Sequence, residues 1–258
     1  MIKIEDITKS FSGKEVLKGI SGEFKKGVVN QIIGASGTGK SVLLKCIVGL
    51  IPPDSGHVYY NDRNFTKADR DLKVEIRREI GMLFQGSALF DSKTVEQNVM
   101  FPLDILTTMS KDDKLERVNF VLQRVGLENV NKKMPSEISG GMKKRVGIAR
   151  AIVNEDVNYL FCDEPNSGLD PQTSIVIDEL IAEITKELDV TTVVVTHDMN
   201  SVMGWGEHII FLANGHKVWE GSKEQIMFSD VEELNNFVFA SKVMQALKNS
   251  PNFDPKET

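Results

Sequence analysis

Cysteine is scarce in this sequence. Only Cys46 and Cys162 occur among 258 residues, each inside an apolar segment, which leaves no disulfide framework and no cysteine-rich metal site. Both read as small buried hydrophobes in a reducing compartment. Long apolar runs are also missing, and none reaches the roughly 18 residues that a membrane-spanning helix needs. Nor is there an excess of positive charge. The 31 Lys and Arg face 37 Asp and Glu, for a formal net charge of −6, so no general basic field draws nucleic acid. The short basic clusters, Lys143–Lys144–Arg145 and Arg77–Arg78, read as solvated helix faces. Internal repeats and low-complexity tracts are absent. The opening MIKIEDITKSF alternates like a strand and carries early acids, unlike a signal peptide. Together these absences predict a chain that is soluble and cytosolic by itself.

What is present suffices for a folded core: 41% of residues are hydrophobic and 26% charged, in a length that admits one domain or two. The first 33 residues alternate apolar and polar (Ile2, Ile4, Ile7, then Val16, Leu17, Ile20, Phe24) and predict short strands. A helix is expected over about 39–49, closed by the turn signal IPPDSG, with HVYY and IGMLF as further strands. From about 85 to 151 the period turns helical, through EQNVMFPLDIL, KLERVNFVLQRVGL and a helix opening at Ser139. NYLFCD and TTVVVTH read as buried parallel strands. PQTSIVIDELIAEITKEL reads as an amphipathic helix with Pro171 in its first turn, and HIIFLANGHKVWEG as a hairpin around Asn214–Gly215. The tail, SDVEELNNFVFASKVMQALKNS, predicts a last amphipathic helix opening at a Ser or Asp cap. Its apolar set (Leu234, Phe237, Val238, Val243, Met244, Leu247) serves either a neighbouring subunit or the chain's own core. Strands alternating with helices imply an α/β fold with a mainly parallel sheet, N-terminal antiparallel strands and an inserted α-helical subdomain at about 86–150. Residues 1–225 then form the main body and 226–258 a helical tail.

Between the apolar runs VVNQII and VLLKCIVGL lies GASGTGKS, comprising Gly34, Ala35, Ser36, Gly37, Thr38, Gly39, Lys40 and Ser41, with Val42 next. The spacing fits G-x-x-x-x-G-K-[ST], a loop whose backbone N–H groups wrap around phosphates. Glycine lets the backbone approach an anion closely, and the helix that follows points its positive end at the same place. Lys40 is expected on the β- and γ-phosphates and the Ser41 hydroxyl on Mg²⁺. The chain is therefore expected to bind a nucleoside triphosphate on a P-loop NTPase (RecA-like) core. Such a site needs an acid at the end of a second buried strand to hold Mg²⁺, and Asp163, closing YLFCD, is that acid. Glu164 follows, where a carboxylate can orient and deprotonate the attacking water.

The remaining motifs narrow the class. ISGGMKKR (138–145) places Ser139, Gly140 and Gly141 at a helix start, some 20 residues before NYLFCDEP. This order resembles the signature sequence of the ATP-binding cassette (ABC) family. Gln85 in LFQGSALF looks like that family's Q-loop glutamine, SGLD (167–170) like its D-loop with Asp170, and THD (196–198) like its switch-histidine segment with His197. Phe11 sits where the family carries an adenine-stacking aromatic. The resemblance covers about residues 1–225 and implies ATP and Mg²⁺ as cofactors, with Gln85 also near the metal. It further implies a homodimer, because the Ser139–Gly141 helix start faces the γ-phosphate held by the other cassette.

One position departs from the common pattern. Most cassettes carry Gln after Ser-Gly-Gly, whereas Met142 stands here. SGGM with its basic residues, FQGSALFDSKTVEQNVMFPL, CDEPNSGLDP and THDMNSV together look like the ATPases of MCE-type lipid transporters, the maintenance-of-lipid-asymmetry systems of bacteria with an outer membrane. That resemblance implies phospholipid transport between inner and outer membrane. Its partners would be transmembrane permease subunits, an MCE-domain lipid-binding subunit and a small accessory cytosolic subunit, at the cytoplasmic face of the inner membrane. An ATPase of an amino-acid or other small-solute importer is the alternative, and a soluble cassette protein a more distant one. TKAD (66–69) loosely resembles a guanine-reading motif but lies upstream of the Mg²⁺ acid, where a GTPase would not carry it. The apolar residues near Gln85 (Leu89, Phe90, Val99, Met100, Phe101) are expected to dock a transmembrane subunit.

Overall fold

The computed structural model describes residues 1–240. Strands β1 (Ile2–Phe11), β2 (Lys14–Phe24), β4 (Ser55–Tyr60) and β5 (Arg63–Asn64) form an antiparallel sheet in the order β2-β1-β4-β5. A second sheet runs β10-β9-β3-β8-β7-β6, built from β3 (Val29–Ile33), β6 (Ile80–Leu83), β7 (Tyr159–Asp163), β8 (Thr191–Thr196), β9 (His208–Ala213) and β10 (His216–Gly221). All its pairings are parallel except β9 with β10. Those two are joined at Asn214 and Gly215, whose φ of 52° and 82° suit a two-residue hairpin turn.

The strands read as continuous apolar runs because both faces of the large sheet are covered. Along β7, Tyr159 and Phe161 point into one core while Leu160 and Cys162 point into another. The first core lies between the two sheets and takes Leu43, Leu44 and Ile47 of α1 (Lys40–Ile47). The second is covered by α3 (Val95–Leu106), α4 (Lys111–Arg124), α5 (Gly140–Ile152) and α6 (Pro171–Glu187). Cap chemistry fixes their starts: Thr94, Ser139 and Asp170 each accept a backbone N–H of the first turn.

Three features depart from the sequence reading. Helix α2 (Arg70–Arg78), capped by Asp69, is absent from the sequence reading; its core-facing stripe is short, Leu72 and Ile76, with Ile76 alone fully buried. Within the expected tail helix the described residues form α9 (Glu232–Val238), and a short α8 (Lys223–Ile226) precedes it. Helix α9 starts at Val231 without a side-chain cap, and Ser229 instead accepts the Val231 N–H at 3.2 Å. The described part of the tail turns inward, with Leu234, Val238 and Phe239 sharing a core with Ile33, Ile209 and Phe211. Val243, Met244 and Leu247 lie outside the described residues. The segment after Gln85 is also less open than expected: Val99 is fully buried, and Leu89 and Met100 pack on the core. Phe90 remains 39% exposed, stacked edge-on against Phe101 at 4.7 Å.

Candidate active site

The parallel register brings three strand ends to one edge. Ile33 pairs with Thr196, and Asp163 with Val195, so Gly34, Glu164 and His197 each follow directly on aligned strands. In open α/β sheets ligands bind beyond these carboxyl ends. A cleft of about 350 Å³ opens here, lined among others by Ser36, Gly37, Lys40, Ser41, Val42, Gln85, Glu164 and His197.

The phosphate loop has the shape its glycines predict. A Cβ on Gly34, at φ 149°, would stand 2.3 Å from the Leu212 carbonyl oxygen, so the strand-to-loop bend requires glycine. Lys40 is 6% exposed, and its ammonium donates to the carbonyls of Gly34 and Ala35 at 2.9 Å each. Burial pulls it below the ordinary lysine range, against the upward pull of Glu164 and Asp163. The Thr38 hydroxyl donates to Ala35 O at 2.9 Å, closing the loop on itself.

Ser41 Oγ donates to Asp163 Oδ1 at 2.8 Å. A hydroxyl and a carboxylate so placed are hard oxygen donors of the kind Mg²⁺ takes alongside phosphate oxygens and water. Among the described residues no group of three or more His, Cys, Asp or Glu is gathered to hold a metal by itself. A divalent ion would therefore need ligands from a bound phosphate, and the donor set fits that case.

Glu164 adopts φ 50°, a left-handed backbone uncommon for a side-chain residue and frequent at functional sites. Its N–H donates to Val195 O at 2.9 Å, and its carboxylate Oε2 lies 2.7 Å from His197 Nδ1. The bend turns the carboxylate out of the sheet line and into the cleft.

Other motif residues stand apart from this cleft. Ser139 caps α5, its hydroxyl accepting the Met142 N–H at 3.3 Å, and neither it nor Gly140 or Gly141 lines the phosphate-loop cleft. Asp170 caps α6 by accepting the Thr173 hydroxyl and N–H at 2.6 and 3.0 Å; these bonds hold its carboxyl below the usual range. Phe11 is exposed at the end of β1 with the Lys9 ammonium 5.5 Å from its ring centre.

The sequence reading missed two groups. Lys144, in a basic cluster that reads as a solvated face, is instead 4% exposed and donates to backbone carbonyls of Gln85 and Glu164. The signal was there: Gly141, Lys144 and Ile148 share the buried face of α5 at helical spacing. Behind Glu164, Asn166 donates to both Asp178 oxygens at 2.9 Å, and Ser201 donates to Oδ1 at 2.9 Å. This bridge ties the turn after Glu164 to α6 and to α7 (Met199–Trp205), which follows His197.

Comparison with known proteins agrees with this geometry. The family model described as ABC transporter matches residues 17–167, more than half of the chain. The probable ribonucleotide transport ATP-binding protein mkl of Mycobacterium leprae is 36% identical over 94% of this chain and 70% of its own length. The methionine import ATP-binding protein MetN of Carboxydothermus hydrogenoformans is 42% identical over 86% of this chain and 66% of its own. The chloroplastic protein Trigalactosyldiacylglycerol 3 of Arabidopsis thaliana is 37% identical over 93% of this chain and 74% of its own. Among solved structures, a dimeric ATP-binding cassette in a post-hydrolysis state with ADP and Pi is 33% identical with a TM-score of 0.78, over 86% of this chain and 99% of that one. CbiO1 from Clostridium perfringens, part of the transporter complex cbiONQ, is 30% identical with a TM-score of 0.81, over 96% of this chain and 98% of that one. With its phosphate loop and acid-lined cleft, this chain belongs to the ABC transporter family and is an ATP-binding subunit with ATPase activity.

Proposed function

We propose that the chain works as one of two identical cassettes that drive a membrane transporter, with phospholipid as cargo. The observation that carries the catalytic part is the meeting of Lys40, the Ser41–Asp163 pair and the Glu164–His197 pair at the carboxyl ends of adjacent parallel strands. Lys40 neutralises phosphate charge from the loop floor, and Ser36, Gly37, Thr38, Gly39 and Val42 complete the cradle around it. Bound Mg²⁺ would supply charge stabilisation on the phosphates, with Ser41, Asp163 and Gln85 as its protein-side partners. Glu164 takes the proton of the attacking water, and His197, in contact with it, orients the carboxylate and reaches the γ-phosphate position. Phe11 stacks on the adenine of the nucleotide.

Ser139 and Gly140 form an exposed helix start, with Gly141 buried behind them and no nucleotide cleft of their own, which suits a site completed across a second copy, with Asp170 beside the junction. The dimeric relative with ADP and Pi supports that assembly. An apolar cleft of about 440 Å³ beside Gln85, lined by Phe84, Phe90, Phe101 and Leu106, suits a helix from a transmembrane permease subunit. No described helix is itself long and apolar enough to cross a membrane, so attachment would be peripheral, through such partners, on the cytoplasmic face of the inner membrane.

A lipid cargo is favoured by the galactolipid in the name of the Arabidopsis relative, and phospholipid within that class by Met142 and its neighbouring motifs. An MCE-domain subunit and a small cytosolic subunit follow from the same reading. Amino-acid import is the second reading, supported by MetN at 42% identity. Purifying the assembled complex from membranes and identifying bound lipid by mass spectrometry separates them; methionine binding without co-purified phospholipid would favour the second. The cassette mechanism is tested by Glu164→Gln. It should slow hydrolysis by about 10²–10⁴-fold while MgATP still binds and accumulates a closed dimer, read by light scattering. Turnover at the wild-type rate would remove Glu164 from the role of base.

A further inference from the structure

Lys144 is a buried cation whose bonds go to carbonyls rather than to a carboxylate. It sits one turn into α5, and its ammonium donates to the main-chain oxygen of Gln85 and, at 3.3 Å, to that of Glu164. Holding an ammonium away from water without an ion-pair partner is unfavourable. Burial pulls it below the ordinary lysine range, while Cys162 and the Glu164 and Asp163 carboxylates pull upward. An apolar side chain of the same length would fill this space at lower cost. Something other than packing therefore accounts for the charge.

The two carbonyls answer what that is. Gln85 follows β6 on the way to α3, and its side chain lines the phosphate-loop cleft. Glu164 is the left-handed residue after β7, held on its amide side by Val195 O. Its carbonyl accepts from Lys144 and, at 3.2 Å, from the Ser167 N–H. Lys144 thus clasps the backbone beneath two cleft-lining side chains, from a helix whose first turn is Ser139–Gly141. Displacing that helix would shift both.

We propose that Lys144 is a positioning residue for ATP hydrolysis: by bridging the Gln85 and Glu164 carbonyls it fixes both side chains across the cleft and links them to the start of α5. The inference rests on Glu164 acting as the base. A buried lysine that merely quenches its own charge on nearby carbonyls would look alike but would act on stability alone.

The test compares Lys144→Arg, Lys144→Gln and Lys144→Met in the full chain assembled with its membrane partners. It reads kcat, KM for ATP and the thermal midpoint. Arg offers a long fork of donors that can reach both carbonyls, Gln a single NH2 on a shorter side chain that can reach one, and Met no donor. The expected order of kcat is Arg, then Gln, then Met, with Met lowered on the order of 10²-fold, as small misplacements of reacting groups cost. KM should stay within about threefold, because the phosphate loop is untouched. Wild-type kcat in the Met variant overturns the proposal. So does a kcat loss that tracks the thermal midpoint while KM rises alongside. Should the Met variant fail to fold, equal kcat in Arg and Gln overturns it. Adding Lys144→Met to Glu164→Gln should cost little more, since both act on one group; a fully multiplicative loss refutes the route through Glu164. Glu164→Gln alone at the wild-type rate would sink the base assignment, a result separate from the order among the three Lys144 variants.

Discussion

Replacing Asp178 by Asn tests how the turn behind Glu164 is held. The Asp178 carboxylate is 8% exposed and accepts hydrogen bonds from Asn166 and Ser201. Burial, opposed by those two donors and aided by nearby Asp198, pushes its pKa from 3.8 to about 6. A carboxyl whose native pKa is raised favours folding when protonated, so here the charge opposes stability. The penalty is absent below 3.8, grows as the pH climbs to about 6 and is constant above. The difference between 3.8 and about 6 corresponds to about 3 kcal/mol at neutral pH, taken as an upper figure. In Asp178→Asn the amide oxygen keeps the Ser201 bond. A half-turn of the Asn166 amide brings its Oδ1, unpartnered in the wild type, onto the new NH2. The assay is urea unfolding of both proteins between about pH 4 and pH 7.5, taking the difference at each pH so that other titrations cancel. That difference should move in favour of the variant by up to about 3 kcal/mol and level off above about pH 6.5. A flat difference, or a variant less stable than wild type at neutral pH, would show that the buried charge is stabilised by its two donors and that the reasoning from burial is wrong.

Lys40→Ala should abolish ATP turnover and weaken nucleotide binding, since the loop floor loses the ammonium bonded to Gly34 and Ala35; near-normal turnover would displace the site. Phe90→Asp should leave the thermal midpoint within a degree or two but prevent co-purification with the membrane subunits, because Phe90 is 39% exposed yet lines the apolar cleft beside Gln85. Full assembly of this variant would move the docking surface elsewhere.

The local rules carried the phosphate loop and the strands around it. Four fixed positions, Gly34, Gly39, Lys40 and Ser41, between two apolar runs point to one geometry at a strand-to-helix junction, and the loop adopts it. Runs such as Tyr159–Asp163 were legible because residues facing two cores must all be apolar until the last one, which leaves the sheet for the cleft. Helix α2 was not legible for the opposite reason. Its apolar face is only Leu72 and Ile76, and its place is set as much by the Asp69 cap and by Arg63, which binds Glu75 and Glu79 across from β5. Such long-range partners add nothing to the two-residue apolar period that the sequence shows.

The failures at the site share one cause. Hydropathy patterns assign polar residues to the surface, and Lys144 and Asp178 are polar residues turned inward. Lys144 stands beside two other basic residues, so composition pointed outward although its helical phase pointed in. Asp178 finds Asn166 and Ser201 only after α6 and α7 have packed, so no spacing announces the bridge. Both lie directly behind Glu164, whose left-handed backbone is itself a local departure from preference. Where several residues break local rules around one side chain, the fold is holding that side chain against its own tendencies, and this is the physical mark of a working site. Lys144 carries that mark in the sequence as a polar residue on an otherwise apolar helix face, and in the fold its bonds lead to the Glu164 backbone.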